Sequence, residues 1–221
     1  MEVLSAGIVI VSVSAWNNLL HLFPARWRDR FVHTGVAGAG VAGAIWLFTR
    51  FDLALGFSMA WVWTLLAVAI ATAVVGIGHF SPPVGRMLCD RRICEMSTAG
   101  FFTYTLLRIP LLTAVTEEVL FRGIVWFLFE RLGGTTTAWI GSSIAFALAH
   151  VVVAFQQARR EGYPLSRWVA STLASTGIAG LLLGGLRLLT GGIWASVGVH
   201  AAFNMIFAFG ARSMARRRLD A

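Results

Sequence analysis

Lysine is absent from this 221-residue chain, so all 18 basic residues are arginine, and ten acidic residues leave a formal net charge of +8. A positive excess can point to nucleic acid, but that footprint gathers its cations on one soluble face. Here the arginines are divided among short segments between apolar runs, and no nucleic-acid partner is expected. Charge of either sign is scarce: 13% of residues are charged and 57% hydrophobic, outside the composition of an ordinary soluble domain. Cysteine is nearly missing. Cys89 and Cys94 share one polar segment with no histidine beside them, too few ligands for a zinc site, and read as free thiols in a reducing compartment. The first residues lack the basic stretch that opens a cleavable signal, so the first apolar run is expected to remain as a span.

What the chain does have is a series of apolar windows, each long enough to cross a bilayer at about 20 residues per crossing. Seven emerge, at 3–23, 32–49, 55–78, 110–130, 135–155, 168–189 and 191–211. Arginines crowd the connections 24–31, 81–97 and 156–167 and the segment after 211, against Arg50, Arg131 and Arg187 on the opposite side. The positive-inside rule then puts the N-terminus outside and the C-terminus in the cytoplasm. The expected fold class is all-α, a polytopic transmembrane helical bundle of about seven spanning helices. It is read as one integral membrane domain over 1–221, multi-pass in a cell membrane such as the bacterial inner or plasma membrane, with lipid around it. Helices 1–3 and a cytoplasmic loop take up 1–97, a core follows over 98–211, and 212–221 form a basic cytoplasmic tail. Proline fits the first turn of a helix, so Pro110 is predicted to open the fourth span. Phe101, Phe102, Tyr104, Leu106 and Leu107 then form a short amphipathic piece at the interface, ending at Arg108. Gly35, Ala39 and Gly43, and Gly180 with Gly184, have the small-residue spacing of close helix contact.

Three charges interrupt the fourth span. Each would cost about 2.5 to 3.5 kcal/mol at a bilayer centre, so Glu117, Glu118 and Arg122 should face protein. In a helix Glu118 and Arg122 are an i,i+4 pair able to meet as an ion pair, while Glu117 is turned roughly 100° away. A purely structural ion pair explains two of the charges and leaves Glu117 without a local partner. The fifth span carries Phe146 and His150, and the seventh His200 and Asn204, each pair again spaced i,i+4 and sharing a face. Counted at about 1.5 Å per residue from the cytoplasmic ends, Glu117, His150, Asn204 and His200 come to similar depth, roughly 8 to 16 Å. Polar groups converging from three helices are what a buried site needs. A carboxylate beside an imidazole can take a proton from water and return it to a leaving amine. Glu117 is the candidate base, His150 a holder of the water, and His200 with Asn204 suit an oxyanion formed at a carbonyl.

The blocks Glu117-Glu118-Val-Leu-Phe-Arg122, Phe146-Ala-Leu-Ala-His150 and His200-Ala-Ala-Phe-Asn204 resemble the EExxxR, FxxxH and HxxxN/D motifs of the CPBP family. That family comprises the CAAX prenyl protease 2 type and bacteriocin-processing intramembrane proteases. The resemblance covers about half the chain, from Pro110 to the tail, and makes 98–211 the catalytic core. It implies an intramembrane endopeptidase, a hydrolase cutting a membrane-associated or lipidated peptide or protein. Glu117 would activate water together with His150, His200 and Asn204 would stabilise the oxyanion, and Glu118 with Arg122 would be the supporting ion pair. No cofactor is required by that scheme. Zinc is the alternative, with Glu117, His150 and His200 as ligands, although no HExxH helix is present. A serine route through Ser143 would need it within reach of His150, and about 10 Å of helix separates them. Intramembrane Glu, His and Arg also mark transporters, but these usually show repeated halves, and no internal repeat occurs here. A silent scaffold or immunity protein is the remaining alternative.

Overall fold

The computed structural model describes residues 59–88 and 90–219, and every element among them is helical. The spans expected at 3–23 and 32–49, the first residues of the third, the spacing at Gly35, Ala39 and Gly43, and Cys89 lie outside the described residues. In chain order the helices are α1 (Ala60–Phe80), α2 (Pro82–Leu88), α3 (Arg91–Glu95), α4 (Thr98–Thr103), α5 (Val115–Glu118), α6 (Trp126–Leu148), α7 (Val151–Glu161), α8 (Leu165–Thr190) and α9 (Trp194–Leu219). Two stretches of wider, π-helical turns, Tyr104–Ala114 and Val119–Val125, join α4, α5 and α6 into one run.

Among the described residues four runs are long and apolar enough to cross a membrane: Ala60–Phe80, Thr98–Glu161, Leu165–Thr190 and Trp194–Ala215. The second holds 64 residues, which at about 1.5 Å each would extend roughly three times the thickness of a hydrocarbon core. It does not run straight. At Gly134 the backbone leaves the helix with φ 77° and ψ −174°, a conformation essentially reserved for glycine. Beyond that point the chain doubles back, so that Phe121 of the first arm meets Phe146 of the second edge-on at 5.2 Å. Closer to the turn, Gly141 lies so near the Phe129 ring that a Cβ there would stand 2.8 Å from it. The single run is therefore two antiparallel arms, where the sequence predicts separate spans at 110–130 and 135–155. Phe121, Val125, Trp126, Phe129, Phe146 and small alanines form the packed core between them.

Pro110 does not open a helix. It sits inside the widened stretch Tyr104–Ala114, where the backbone N–H of Val115 reaches the Pro110 carbonyl five residues back. In ordinary α geometry proline lacks the donor for, and clashes with, the carbonyl four residues before it; the wider turn moves that carbonyl aside and lets the helix pass through. One residue of the expected interfacial piece turns inward instead. Phe101 is buried against Phe209 of α9, with ring centroids 5.2 Å apart, and packs with Ile93, Ile109, Ala208 and Ala211. A partner distant in sequence covers Phe101, while Phe102, Leu106 and Leu107 of the same piece stay exposed.

Tight helix contact places the remaining spans. On α8, a Cβ at Gly180 would meet the Cα and carbonyl of Ser143 at 3.1 Å, so α8 and α6 approach backbone to backbone. Packing of this kind holds membrane helices together where lipid is as apolar as the side chains. α9 packs along α1 and the Tyr104–Ala114 segment. It also continues to Leu219, past the boundary at 211 expected from hydropathy. Within that continuation Arg212 donates to the carbonyls of Ile93, Cys94 and Met96 at 2.9, 3.0 and 2.6 Å. These are acceptors that the end of the short α3 would otherwise leave open.

Candidate active site

Glu117 and Glu118 occupy α5, a single turn of α-helix between the two widened stretches. Glu118 is wholly buried and its Oε1 has two partners. Arg122 Nη1 donates to it at 3.2 Å, and His200 Nδ1 lies 2.8 Å away across the gap to α9. Arg122, equally buried, uses Nη2 to donate to the Gly180 carbonyl at 3.1 Å, and its guanidinium lies 4.4 Å from the centre of the Phe146 ring. The pair expected from its i,i+4 spacing is therefore the middle of a network that joins the first arm of the hairpin to α8, α9 and the second arm.

Glu117 points elsewhere. Its Oε2 is shielded from solvent and has no hydrogen-bond partner among the described residues, yet stands 3.9 Å from His150 Nε2 and 3.8 Å from His200 Nε2. Buried oxygens of this kind nearly always have a partner, and a protein carboxylate left bare calls for water or an ion to complete it. Both distances are too long for a direct bond and suit one small bridging species.

The imidazoles are fixed by their far sides. His150 is not in mid-helix, as the span at 135–155 implies, but at the break where α6 ends and α7 begins. The helical arm still delivers Phe146 one turn before it, and His150 Nδ1 lies 2.7 Å from the Phe146 carbonyl. A carbonyl only accepts, so this Nδ1 carries hydrogen and the Nε2 facing Glu117 has its lone pair free in the neutral ring. His200 binds Glu118 through Nδ1 in the same sense. The Phe146 ring packs against both imidazoles, with its centroid 4.7 Å from His150 and 5.9 Å from His200.

Asn204 lies one turn past His200 on α9, half-buried, and its amide makes no hydrogen bond to the described residues. The serines of the alternative route are engaged elsewhere: Ser143 Oγ donates to the Trp139 carbonyl at 2.7 Å and Ser142 Oγ to the same carbonyl at 3.3 Å. Two members of the network escape the motif reading, the Gly180 carbonyl and Arg187. Arg187 of α8 donates to the Arg122 carbonyl and lies 4.6 Å from the Trp126 ring centre. The Gly180 carbonyl leaves no trace in sequence; an arginine near the end of an apolar span does.

A metal can be weighed against this geometry. Among the described residues no three His, Cys, Asp or Glu side chains are grouped closely enough to hold an ion as they stand. Tetrahedral zinc with bonds near 2.0 Å sets its ligands about 3.3 Å apart. Glu117 Oε2 and the two Nε2 atoms, at 3.8 and 3.9 Å, would have to draw in by about half an ångström.

Helices apolar enough to cross a membrane, enclosing a carboxylate and two imidazoles with their far sides tied, define a helical membrane protein with a carboxylate–imidazole cluster among its spans. The particular family follows from comparison. Residues 98–206 match the family described as Rce1-like, type II CAAX prenyl endopeptidase, and this domain is a member of it. The matched range is close to half of the chain and contains Glu117, Glu118, Arg122, Phe146, His150, His200 and Asn204. Membership makes the protein a membrane protease of the CAAX type. No curated protein and no solved structure matches the chain.

Proposed function

We propose that the protein is an intramembrane endopeptidase that hydrolyses a peptide bond with water activated by Glu117. The observation that carries this reading is the bare, buried Oε2 of Glu117 facing two imidazole nitrogens at 3.8 and 3.9 Å. A water in that gap donates one hydrogen to the carboxylate and the other to His150 Nε2, whose lone pair is free, which leaves its oxygen lone pairs available for attack. As the oxygen bonds to the substrate carbonyl carbon, its proton passes to Glu117. The oxyanion that results is met by the Asn204 amide and by His200. Because His200 binds Glu118 through Nδ1, a bond from its Nε2 to that oxygen requires the imidazolium. Collapse of the tetrahedral species breaks the C–N bond, and the proton held by Glu117 leaves with the amine. Glu118 and Arg122 fix the helix turn and His200, and Phe146 screens both.

A second reading has its own support. With both Nδ1 atoms engaged, two Nε2 lone pairs and a carboxylate oxygen converge, and such outer partners are what metal-binding histidines have. In that reading Glu117, His150 and His200 would hold zinc, which supplies a water of lowered pKa. The gap as it stands suits water better, and the proposal is for a reaction without a cofactor.

The substrate is a membrane-associated or lipidated peptide or protein, cut near the cytoplasmic face. The seven-span arrangement with the N-terminus outside, and residence in a bacterial inner or plasma membrane, belong to the same proposal. They rest on the arginine bias between the apolar windows. The test is cleavage of membrane peptides, lipidated and not, by detergent-purified protein. Glu117→Gln and His150→Ala are each expected to lower the rate by a factor of about 10² to 10⁴ and a chelator to leave it unchanged. Loss on chelation restored by zinc would establish the second reading. Undiminished cleavage by Glu117→Gln would remove the site.

A further inference from the structure

Arg187 is an arginine in an apolar helix that the reaction above does not use. Among the described residues no carboxylate lies within ion-pair distance of it. Its guanidinium is instead committed to two groups of one helix turn on the neighbouring arm, the carbonyl of Arg122 and the face of the Trp126 ring, 4.6 Å away at its centre. Intramembrane charges are rare and are kept where they do something.

The backbone explains why that carbonyl is free. Within Val119–Val125 the turn is widened, and the N–H of Trp126 bonds to the Phe121 carbonyl five residues back. The same N–H also reaches the Gly123 carbonyl three residues back, and from Trp126 the chain continues as α-helix. Between these two acceptors that N–H passes over one carbonyl, Arg122's. Lipid offers it no donor. Arg187 does, from another helix.

The widened turn also sets the site. Glu118 is its last α-helical neighbour, Arg122 is within it, and their side chains meet at 3.2 Å. Closing the turn to α geometry would rotate Arg122 relative to Glu118 and return the Arg122 carbonyl to an N–H of its own helix. Glu118 would then hold His200 without its guanidinium. We propose that Arg187 is a positioning residue: it holds the widened turn open by capping the Arg122 carbonyl, and so fixes Glu118 and, through it, the His200 imidazole that faces Glu117. The catalytic part of this proposal rests on reading Glu117 as the base; the geometric part does not.

The test uses full-length protein in detergent micelles, wild type against Arg187→Leu and Arg187→Lys, with ¹⁵N-labelled histidine. The signals of His150 and His200 are identified by their loss in the corresponding alanine variants. The histidine spectrum reports the site whether or not a peptide is cut. The expected result is that the ring signals of His200 are displaced in Arg187→Leu and shifted less in Arg187→Lys, which keeps one donor. On a peptide that the wild type cleaves, kcat falls by about ten- to a hundredfold with KM unchanged, the scale of a small misplacement of reacting groups. A wild-type histidine spectrum in Arg187→Leu overturns the proposal, as does a lower melting temperature with unchanged spectrum and kcat, the mark of a merely structural residue. If Arg187→Leu does not fold, Arg187→Lys decides: a displaced His200 signal upholds the proposal and an unchanged one overturns it. A wild type that cleaves nothing would refute the protease reading and leave the spectra to judge Arg187.

Discussion

Replacing Glu118 by Gln should separate stability from chemistry at this site. The carboxylate has no exposed surface, and it is the shared partner of Arg122 at 3.2 Å and His200 at 2.8 Å. Glutamine keeps the volume and removes the charge, leaving the Arg122 guanidinium, itself without exposed surface, with the Gly180 carbonyl and the Phe146 ring for company. Removing one member of a buried ion pair costs about 3 to 5 kcal/mol, because the other charge stays buried and uncompensated. At roughly 2 to 4 °C per kcal/mol for a chain of this size, the melting temperature should fall by about 6 to 20 °C. Glu117→Gln is the control. That side chain is 20% exposed and its Oε2 has no hydrogen bond among the described residues to lose, so its stability should stay within about 1 kcal/mol of wild type. Adding Arg122→Met to Glu118→Gln removes the stranded cation and should recover part of the loss. The assay is thermal unfolding in detergent followed by circular dichroism, run beside peptide cleavage. Equal melting of Glu118→Gln and wild type would refute the reasoning, since the buried network would then contribute nothing to the fold.

The hairpin turn gives a second prediction: Gly134→Ala, at φ 77° and ψ −174°, should destabilise the protein by about 1 to 3 kcal/mol, read as a lower melting temperature. A third concerns α3, outside the apolar spans. Burial pushes the Asp90 carboxyl up, but hydrogen bonds and charge from Arg92 outweigh it and hold the group below the usual carboxylate range. A lowered folded pKa contributes stability above the unfolded value near 3.9 and loses it as pH falls through the folded one. Arg92 is 46% exposed, which limits the contribution to about 1 kcal/mol or less. Wild type should therefore melt slightly above Asp90→Asn at pH 7, and the gap should close as the pH falls below 4; a gap that widens in acid would reverse the sign.

Local spacing made part of this legible. Glu118 with Arg122, Phe146 with His150 and His200 with Asn204 were readable because i,i+4 residues share a helix face whatever the helices do next. Apolar length located both arms of the hairpin. Hydrogen-bond register was not readable: the widened turns that carry Pro110 through the helix and free the Arg122 carbonyl have the same apolar composition as α-helix. Hydropathy likewise carried the fifth span through His150, where the chain breaks. Phe101 was misplaced because α9, more than a hundred residues later, covers it. The partners of Arg122, Arg187 and Arg212 include main-chain carbonyls, and a carbonyl has no letter in the sequence.

The reversal at Gly134 also bears on how the protein is made. Chains emerge from the ribosome N-terminus first and fold in that order, and the hairpin brings Glu117 beside His150 without any later segment. His200 arrives only with the final helix. A half-translated chain therefore has Glu117 and one imidazole but neither the second ring nor the contact that tethers Glu118 across the bundle. On the reading proposed above, the enzyme would stay inert in the membrane until α9 docks, a safeguard during biosynthesis.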